Sequence, residues 1–394
     1  MFRAYKHRLY PTNSQKELIK KHCGSVKFLY NLALETKTTA YLGNKVNLSR
    51  YDLQKQLVEL KKELPWLKEV NSQSLQSALI NLDEAYKKFF KGAGSPKFKK
   101  KSNGGSFAVP QNVIIENDLL IIPKFKEGIK IVLHRPIKGA IKSATVSVTP
   151  TDKYFVSVLC ETGEKVKPKA PITENTTIGI DLGIKTFLVT SNGECFENHK
   201  YLRKAQSKLK YVQRKYSKYK GERTKKKLSK LHEHVANKRK DFLHKVSTKL
   251  IRENQTIAIE TLAVKNMVKN HNLAQAINDA SWSTFVTMLG YKADWYGKNI
   301  LRIGQFAPSS KTCSNCGSIN KELTLKDREW TCSKCNSLLN RDVNASINIK
   351  NFALKNHLSG GHRLKNRNEL PTLVGVMTSE APLPLSKGSS HQFI

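Results

Sequence analysis

The chain has 394 residues, with 69 Lys and Arg against 31 Asp and Glu, a net charge of +38. Such an excess repels itself in a compact state and calls for a polyanion, which favours nucleic acid over a basic surface that serves only solubility. No apolar run approaches the roughly eighteen residues of a membrane span, residues 1–6 do not read as a signal peptide, and the length suits roughly two or three domains.

The opening residues alternate, with Phe2, Ala4, His7 and Leu9 among basic positions, and predict a short strand ending at Pro11. Residues 13–103 read as a helical block. Leu18, Ile19, His22 and Val26 begin an apolar stripe continued by Leu29, Leu32 and Leu34, and a second helical region runs from Leu48 to Leu64. A third stripe holds Leu75, Leu79, Leu82, Tyr86, Phe89 and Phe90, with the Phe89-Phe90 pair assigned to the core. A basic, glycine-marked linker follows at 93–105. From Ser106 to Glu161 the period falls to two. Strands are predicted at Val113-Ile114-Ile115, Leu119-Leu120-Ile121-Ile122, Ile129-Lys130-Ile131-Val132-Leu133, Ala144-Thr145-Val146-Ser147-Val148 and Tyr154-Phe155-Val156-Ser157-Val158. With the first strand they suggest a small β-barrel over 1–12 and 104–170, carrying the helical block as an insertion.

Thr177-Ile178-Gly179-Ile180-Asp181 opens a β-meander with turns at Gly183-Ile184 and Ser191-Asn192-Gly193. Two long helical stripes come next, and twenty Lys or Arg lie between Lys200 and Arg252. Tyr211, Tyr216 and Tyr219 among these cations suit base stacking beside phosphate contacts; the plainer alternative is a solvated charged helix pair. A strand at Thr256-Ile257-Ala258-Ile259-Glu260, a helix from about Ser281 to Tyr296 and a strand at Ile300-Leu301-Arg302-Ile303 complete this half. After Asn356 periodicity fades, and 357–394 reads as a disordered tail.

Cys313, Cys316, Cys332 and Cys335 form a C-x2-C-x15-C-x2-C run, the spacing of a zinc ribbon over 309–337. All four ligand positions are filled, so one Zn²⁺ there is structural, and Thr312, Ser314, Ser333 and Lys334 around it suit phosphate contact. Cys23, Cys160 and Cys195 follow no pairing rule, which fits a reducing cytoplasm with the three packed as small apolar residues.

Three antiparallel strands, helix, strand, helix, strand and helix is a ribonuclease H-like order. The fold class expected is therefore multidomain α+β, with an α/β nuclease core over 175–308 and 338–356 interrupted by the ribbon. In that order Asp181 lies on the first strand, Glu260 ends the fourth and Asp342 starts the last helix. Brought to one sheet edge, three carboxylates can hold two Mg²⁺ or Mn²⁺ ions for phosphodiester hydrolysis. Each acid also has a plainer reading: Asp181 a strand end at a glycine turn, Glu260 a solvated terminus, Asp342 a helix N-cap. Asp181-Leu182-Gly183-Ile184-Lys185-Thr186 is similar to the phosphate loop of sugar kinases, but the second Asp-x-Gly loop they need does not occur.

At these residues the chain resembles TnpB, the transposon-encoded relative of type V CRISPR nucleases. The resemblance rests on Ile178-Gly179-Ile180-Asp181-Leu182-Gly183-Ile184-Lys185, Ile257-Ala258-Ile259-Glu260, Asn237-x-Arg239-x-Asp241-x-x-His244-Lys245 and Arg341-Asp342-Val343-Asn344-Ala345. It is carried further by Phe306-x-Pro308-Ser309-Ser310-Lys311-Thr312-Cys313-Ser314-Asn315-Cys316-Gly317, the amino-terminal Tyr5-Lys6-x-Arg8-Leu9-Tyr10-Pro11-Thr12, and Leu75-Gln76-x-Ala78-Leu79-x-x-Leu82-Asp83.

It implies a wedge barrel, a helical recognition lobe, a RuvC-like nuclease and a zinc module facing the target. It also implies a prokaryotic cytoplasmic protein that pairs a guide RNA from the transposon end with target DNA, double-stranded and then opened to single strands, and cuts beside a short protein-read motif. Tyr51 and Gln76 are candidates for that motif, and Arg239, Lys245 and Arg341 for other nucleic-acid contacts. Two departures stand out: Leu339-Asn340 replaces a His-Asp pair of many relatives, and Asn336 replaces the glycine of the second knuckle. A guided DNA-binding repressor and a strand-transfer transposase are the competing functions. A repressor should have lost an acid, and transposases usually run Asp, Asp, Glu, whereas this chain reads Asp, Glu, Asp.

Overall fold

The computed structural model describes residues 1–100, 104–324 and 326–358. Strand β1 (Phe2–Tyr10) buries Tyr5, His7 and Leu9 on one face, as its period of two requires. Thr12 stops it and starts α1 (Asn13–Asn44) through a capping box. Its Oγ1 accepts from the Gln15 amide at 3.3 Å, and its own amide donates to Gln15 Oε1 at 3.0 Å. Ser49 and Asp52 cap α2 (Arg50–Glu63) in the same way, and Asn71 caps α3 (Ser72–Phe90).

The following strands are β2 (Gly105–Val109), β3 (Ile114–Glu116), β4 (Leu119–Ile122), β5 (Phe125–Val132), β6 (Ala140–Val148) and β7 (Tyr154–Glu161). With β1 they form one antiparallel sheet in the order β2-β6-β7-β1-β5-β4-β3. Among the described residues no ladder joins β2 to β3, so by its hydrogen bonds the expected barrel is an open sheet.

The helical block does not stand apart from this sheet. Ile19, Leu29, Leu75, Leu79 and Leu82 share one continuous core with Phe107, Leu120, Ile131 and Val156. Among the buried polar side chains of this half is His22. The His22 ring lies against Phe107, accepts from the Asn71 amide at 3.0 Å and bonds the Leu18 carbonyl at 2.8 Å. Desolvation lowers its pKa, which keeps the imidazole neutral. Phe89 and Phe90 break the expected pattern. α3 runs past the edge of the core, leaving them 40% and 76% exposed.

The second half builds around β8 (Thr177–Leu182), β9 (Thr186–Thr190) and β10 (Cys195–Glu197), then α4 (Tyr201–Tyr219), α5 (Glu222–Glu253) and β11 (Thr256–Glu260). Next come α6 (Val264–Met267), α7 (His271–Ala280), α8 (Trp282–Tyr296) and β12 (Asn299–Ile303). The first two of these helices are short and were not anticipated. The sheet order is β10-β9-β8-β11-β12, with β8, β9 and β10 antiparallel and β11 parallel to both β8 and β12. Central strands β8 and β11 each bury four consecutive residues, as a parallel pair covered on both sides must.

On one side Ile178, Ile180, Ile257 and Ile259 pack with Leu243, Val246 and Leu250 of α5 and Phe285 and Leu289 of α8. Buried Lys292 pins those two helices by donating to the His244 carbonyl at 2.9 Å and to Ser247 Oγ and Thr248 Oγ1, each at 2.7 Å. The other side is covered by α9 (Arg341–Leu358), which follows the small hairpin of β13 (Glu329–Thr331) and β14 (Leu338–Asn340). That helix continues two residues beyond Asn356, and the rest of the expected tail lies outside the described residues. Cys23 and Cys160 are buried as expected, but Cys195 is exposed because β10 is a short edge strand.

Candidate active site

Glycine sets the position of α9. A Cβ on Gly179 would lie 2.0 Å from the Ser346 carbonyl oxygen and 2.8 Å from the Lys350 amide, so the helix backbone rests directly on β8. Asp181, two residues on, shares the face of Gly179. Ala258 packs with Ile349 and Ala353 of α9, so Glu260, two residues on from Ala258, faces the same way. The parallel register pairs Ile180 with Ile259, which leaves Asp181 and Glu260 one step further along neighbouring strands. Asp342, in the first turn of α9, supplies the third carboxylate at that edge.

The three acids differ in what surrounds them. Burial, then the negative charges of Glu260 and Asp342, push Asp181 up to about 7, while Arg341 and the Leu182 amide pull the other way. Glu260 is raised by burial against the pull of a short hydrogen bond that Ser309 Oγ donates to its Oε1. Asp342 accepts from Arg328 Nη1 at 3.3 and 3.1 Å, and its Oδ1 lies 3.4 Å from Arg341 Nε. It does not cap its helix. Asn340 does, its Oδ1 accepting from the Asp342 and Val343 amides at 3.2 Å each, which leaves the Asp342 carboxylate free of that duty.

Beside this edge the cysteines close into a cluster. Their four sulfurs lie within 4.8 Å of one another, with Cys313 and Cys335 at 3.7 Å and Cys316 and Cys332 at 3.6 Å. A tetrahedron of thiolates about 2.3 Å from zinc has edges near 3.8 Å, whereas a disulfide needs about 2.05 Å, so the geometry fits zinc. Backbone amides of Cys335 and Lys334 lower Cys332 to about 6, favouring the thiolate that a metal requires. The two knuckles turn alike although their sequences differ. Gly317 and Asn336 follow their cysteine pairs at φ +76 and +56, and asparagine tolerates that left-handed conformation. Among the described residues no other set of three or more Cys, His, Asp or Glu closes in this way, so the acids share a field without forming such a cluster.

Residues that spacing did not single out join the two centres. Asn348 Nδ2 donates to the Ser309 and Thr312 carbonyls at 2.8 and 2.6 Å. Asn344 Nδ2 donates to the Thr312 carbonyl at 2.7 Å, and its Oδ1 accepts from the Ser314 amide at 2.8 Å. Thr312 is buried in this network rather than turned to solvent, whereas Ser333 and Lys334 are exposed.

The nucleic-acid candidates separate by environment. Tyr51 and Gln76 are exposed on α2 and α3, with the Arg50 guanidinium 4.7 Å from the Tyr51 ring. Lys245 is exposed and paired with Asp241 at 2.8 Å. Arg239 is engaged within the fold. Its guanidinium lies 3.6 Å from buried Asp279 and donates to Ser281 Oγ at 3.2 Å, while Asp279 accepts from the Leu202 and Arg203 amides at the start of α4. Arg341 also faces inward, donating to the Thr324 and Asp327 carbonyls at 3.3 Å. On the basic hairpin Tyr211 and Tyr219 are exposed and Tyr216 is half-buried.

Residues 157–271 match a family described as "Probable transposase" and residues 282–349 one described as "Cas12f1-like, TNB domain". Residues 1–45 match one described as "Helix-turn-helix domain", although here they form β1 and the single helix α1. A Streptomyces pristinaespiralis protein named "Putative RNA-guided DNA endonuclease" is 39% identical over 359 residues, covering 88% of this chain and 88% of its own. "Putative RNA-guided DNA endonuclease InsQ" of Escherichia coli (strain K12) is 31% identical over 373 residues, covering 88% and 91%. The chain belongs to the TnpB family. TnpB-like protein L79 of Acanthamoeba polyphaga mimivirus is 26% identical, covering 89% of this chain and 73% of its own. In this TnpB-family chain Asp181 and Glu260 fall in the first of the matched segments named above, and the cysteines, Ser309, Arg328 and Asp342 in the second. No helix among the described residues is long and apolar enough to cross a membrane.

Proposed function

We propose that this protein is an RNA-guided DNA endonuclease with a RuvC-like catalytic core. The observation that carries this reading is the convergence of Asp181, Glu260 and Asp342 from two parallel strands and a helix start, where burial first, and then the charges of Glu260 and Asp342, push Asp181 up to about 7. Such a set of hard oxygen donors fits Mg²⁺ or Mn²⁺, and the negative charge that Glu260 and Asp342 bring to bear on Asp181 is what a cation would relieve. Asp181, Glu260 and Asp342 would hold two such ions, which when bound would activate a water and offset the charge on the leaving oxygen in phosphodiester hydrolysis. One Zn²⁺ on the four cysteines is structural, since no ligand position remains open.

The chain's own residues do the holding. Glu260 is oriented by Ser309, and Asp342 is presented by an Asn340-capped helix and faced by Arg328. A guide RNA paired with one strand of the target, the other strand displaced, suits a chain of net charge +38 whose basic hairpin exposes Tyr211 and Tyr219. Tyr51 and Gln76, both exposed, are the proposed readers of a short motif.

The test is cleavage of matched DNA by the complex purified with RNA from its native locus. Asp181→Ala is expected to reduce cutting by at least about a thousandfold while RNA and target binding stay near wild type. Undiminished cutting would overturn the assignment, and RNA-free protein from that preparation would remove the guide from it.

A further inference from the structure

Ser309 is 4% exposed and stands between the two centres without belonging to either ligand set. Its hydroxyl donates to Oε1 of Glu260, leaving Oε2 of the same carboxylate without that claim on it. Its backbone is fixed in turn, because its carbonyl accepts from buried Asn348 at 2.8 Å and its amide donates to the Ala307 carbonyl at 2.8 Å. Asn348 also holds the Thr312 carbonyl, which Asn344 shares, and Asn344 accepts from the Ser314 amide inside the first cysteine knuckle. The path from knuckle to carboxylate therefore runs through three buried hydrogen bonds of Asn344 and Asn348, with a part-buried bond at each end.

We propose that Ser309 is a positioning residue for Glu260, and that the first zinc knuckle holds it in place through Asn344 and Asn348. The inference rests on the proposed metal-dependent nuclease reading and assigns a device to it. A glutamate ending a strand has three side-chain torsions. A donor fixed on one oxygen selects a rotamer and aims the other oxygen at the edge shared with Asp181 and Asp342. Outer hydrogen-bond partners of metal ligands typically contribute about 10–100-fold in metal affinity or activity. The ribbon thereby acts on the acidic edge beyond any grip on nucleic acid.

The experiment titrates Mn²⁺ into the zinc-loaded full chain without nucleic acid, read by the loss of the free-ion paramagnetic resonance signal. Wild type is compared with Ser309→Ala, Ser309→Thr and Asp181→Ala. Ser309→Ala is expected to weaken Mn²⁺ binding about 10–100-fold and to raise the Mg²⁺ concentration for half-maximal cleavage similarly, with zinc content and RNA binding unchanged. Ser309→Thr, which keeps the hydroxyl, should recover most of that loss. Wild-type Mn²⁺ affinity in Ser309→Ala would overturn the proposal. If Asp181→Ala binds Mn²⁺ like wild type, the ions are not at the acids, and the nuclease reading has failed rather than the positioning role. If Ser309→Ala loses zinc or unfolds, Asn348→Asp is the second arm, since its carboxylate cannot donate to the Ser309 carbonyl. Unchanged Mn²⁺ affinity there would overturn the proposed path.

Discussion

The ribbon, whose four cysteines can hold a metal ion, and the acidic edge, proposed to hold others, are assembled by opposite routes. In the ribbon each pair of ligands lies three residues apart in one turn, and backbone amides within that turn favour a thiolate at Cys332. At the edge the ligands come from β8, β11 and α9, and packing alone brings them together. Local geometry can assemble a site complete in itself. A site assembled by the fold must instead bury a carboxylate beside others, and Asp181, pushed up to about 7 by burial and then by Glu260 and Asp342, records that cost.

Chelating the ribbon ion should have the largest effect. Structural zinc contributes roughly 10–16 kcal/mol to folding in small zinc domains, so its loss is expected to unfold 309–340 and release the Asn344 and Asn348 bonds. Hydrogen exchange should then become fast across that segment and at the start of α9, while β8 and β11 stay protected. Retained protection in the ribbon would break the comparison. Next in size is Gly179→Ala, whose Cβ would meet the Ser346 oxygen at 2.0 Å. A destabilisation of about 3 kcal/mol or more is expected in urea unfolding, since neither backbone can yield without moving α9 off the sheet. A wild-type midpoint would show that α9 does not rest on β8 as closely as described.

The same contrast governs what could be read from sequence. The cysteine spacing is a local signal, and β11 spans Thr256–Glu260 as its apolar run predicted. The element order placed the acids at one edge because parallel strands leave little choice. Ser309 and Asn344 stand inside the quoted motifs, but their roles as hydrogen-bond partners, like those of Asn348 and Arg328, gave no such signal. Their partners lie across the fold, and a polar side chain that serves one distant carbonyl or carboxylate has no period. Phe89 and Phe90 mislead for a related reason: a stripe on a helix shows which face is apolar, not where the core beneath it ends. The helical block also gave no sign that it shares a core with the β-sheet, which is a tertiary fact.

A smaller effect is expected from removing the charge that Asp181 carries into its buried place. Asp181 holds its proton up to about 7 when folded, against about 4 when unfolded. Between those values the folded state binds more protons, so the metal-free, zinc-loaded protein should lose stability as pH rises through that window and hold the lower value above it. Asp181→Asn removes the ionisation. At pH 8 without Mg²⁺ it should be more stable than wild type, with a flatter pH profile between about 4 and 7. Equal or lower stability of that variant would mean that neither burial nor neighbouring charge penalises the Asp181 carboxylate and that the contrast with the ribbon is overdrawn.

The smallest effect lies in the ribbon and sharpens the comparison from its other side. The second knuckle reaches the same left-handed turn as the first with Asn336 in place of a glycine. A non-glycine residue in that region costs roughly 1 kcal/mol, less for asparagine, and glycine gives back part of the gain as unfolded-state entropy. Asn336→Gly should therefore leave zinc-bound stability within about 1 kcal/mol of wild type, while Asn336→Val should lower it by more, because a β-branched side chain resists positive φ. Zinc competition titrations on the two variants read the difference directly. If valine were tolerated as well as glycine, the turn would not be what presents Cys332 and Cys335, and the ribbon would depend on the surrounding fold as much as the acids do.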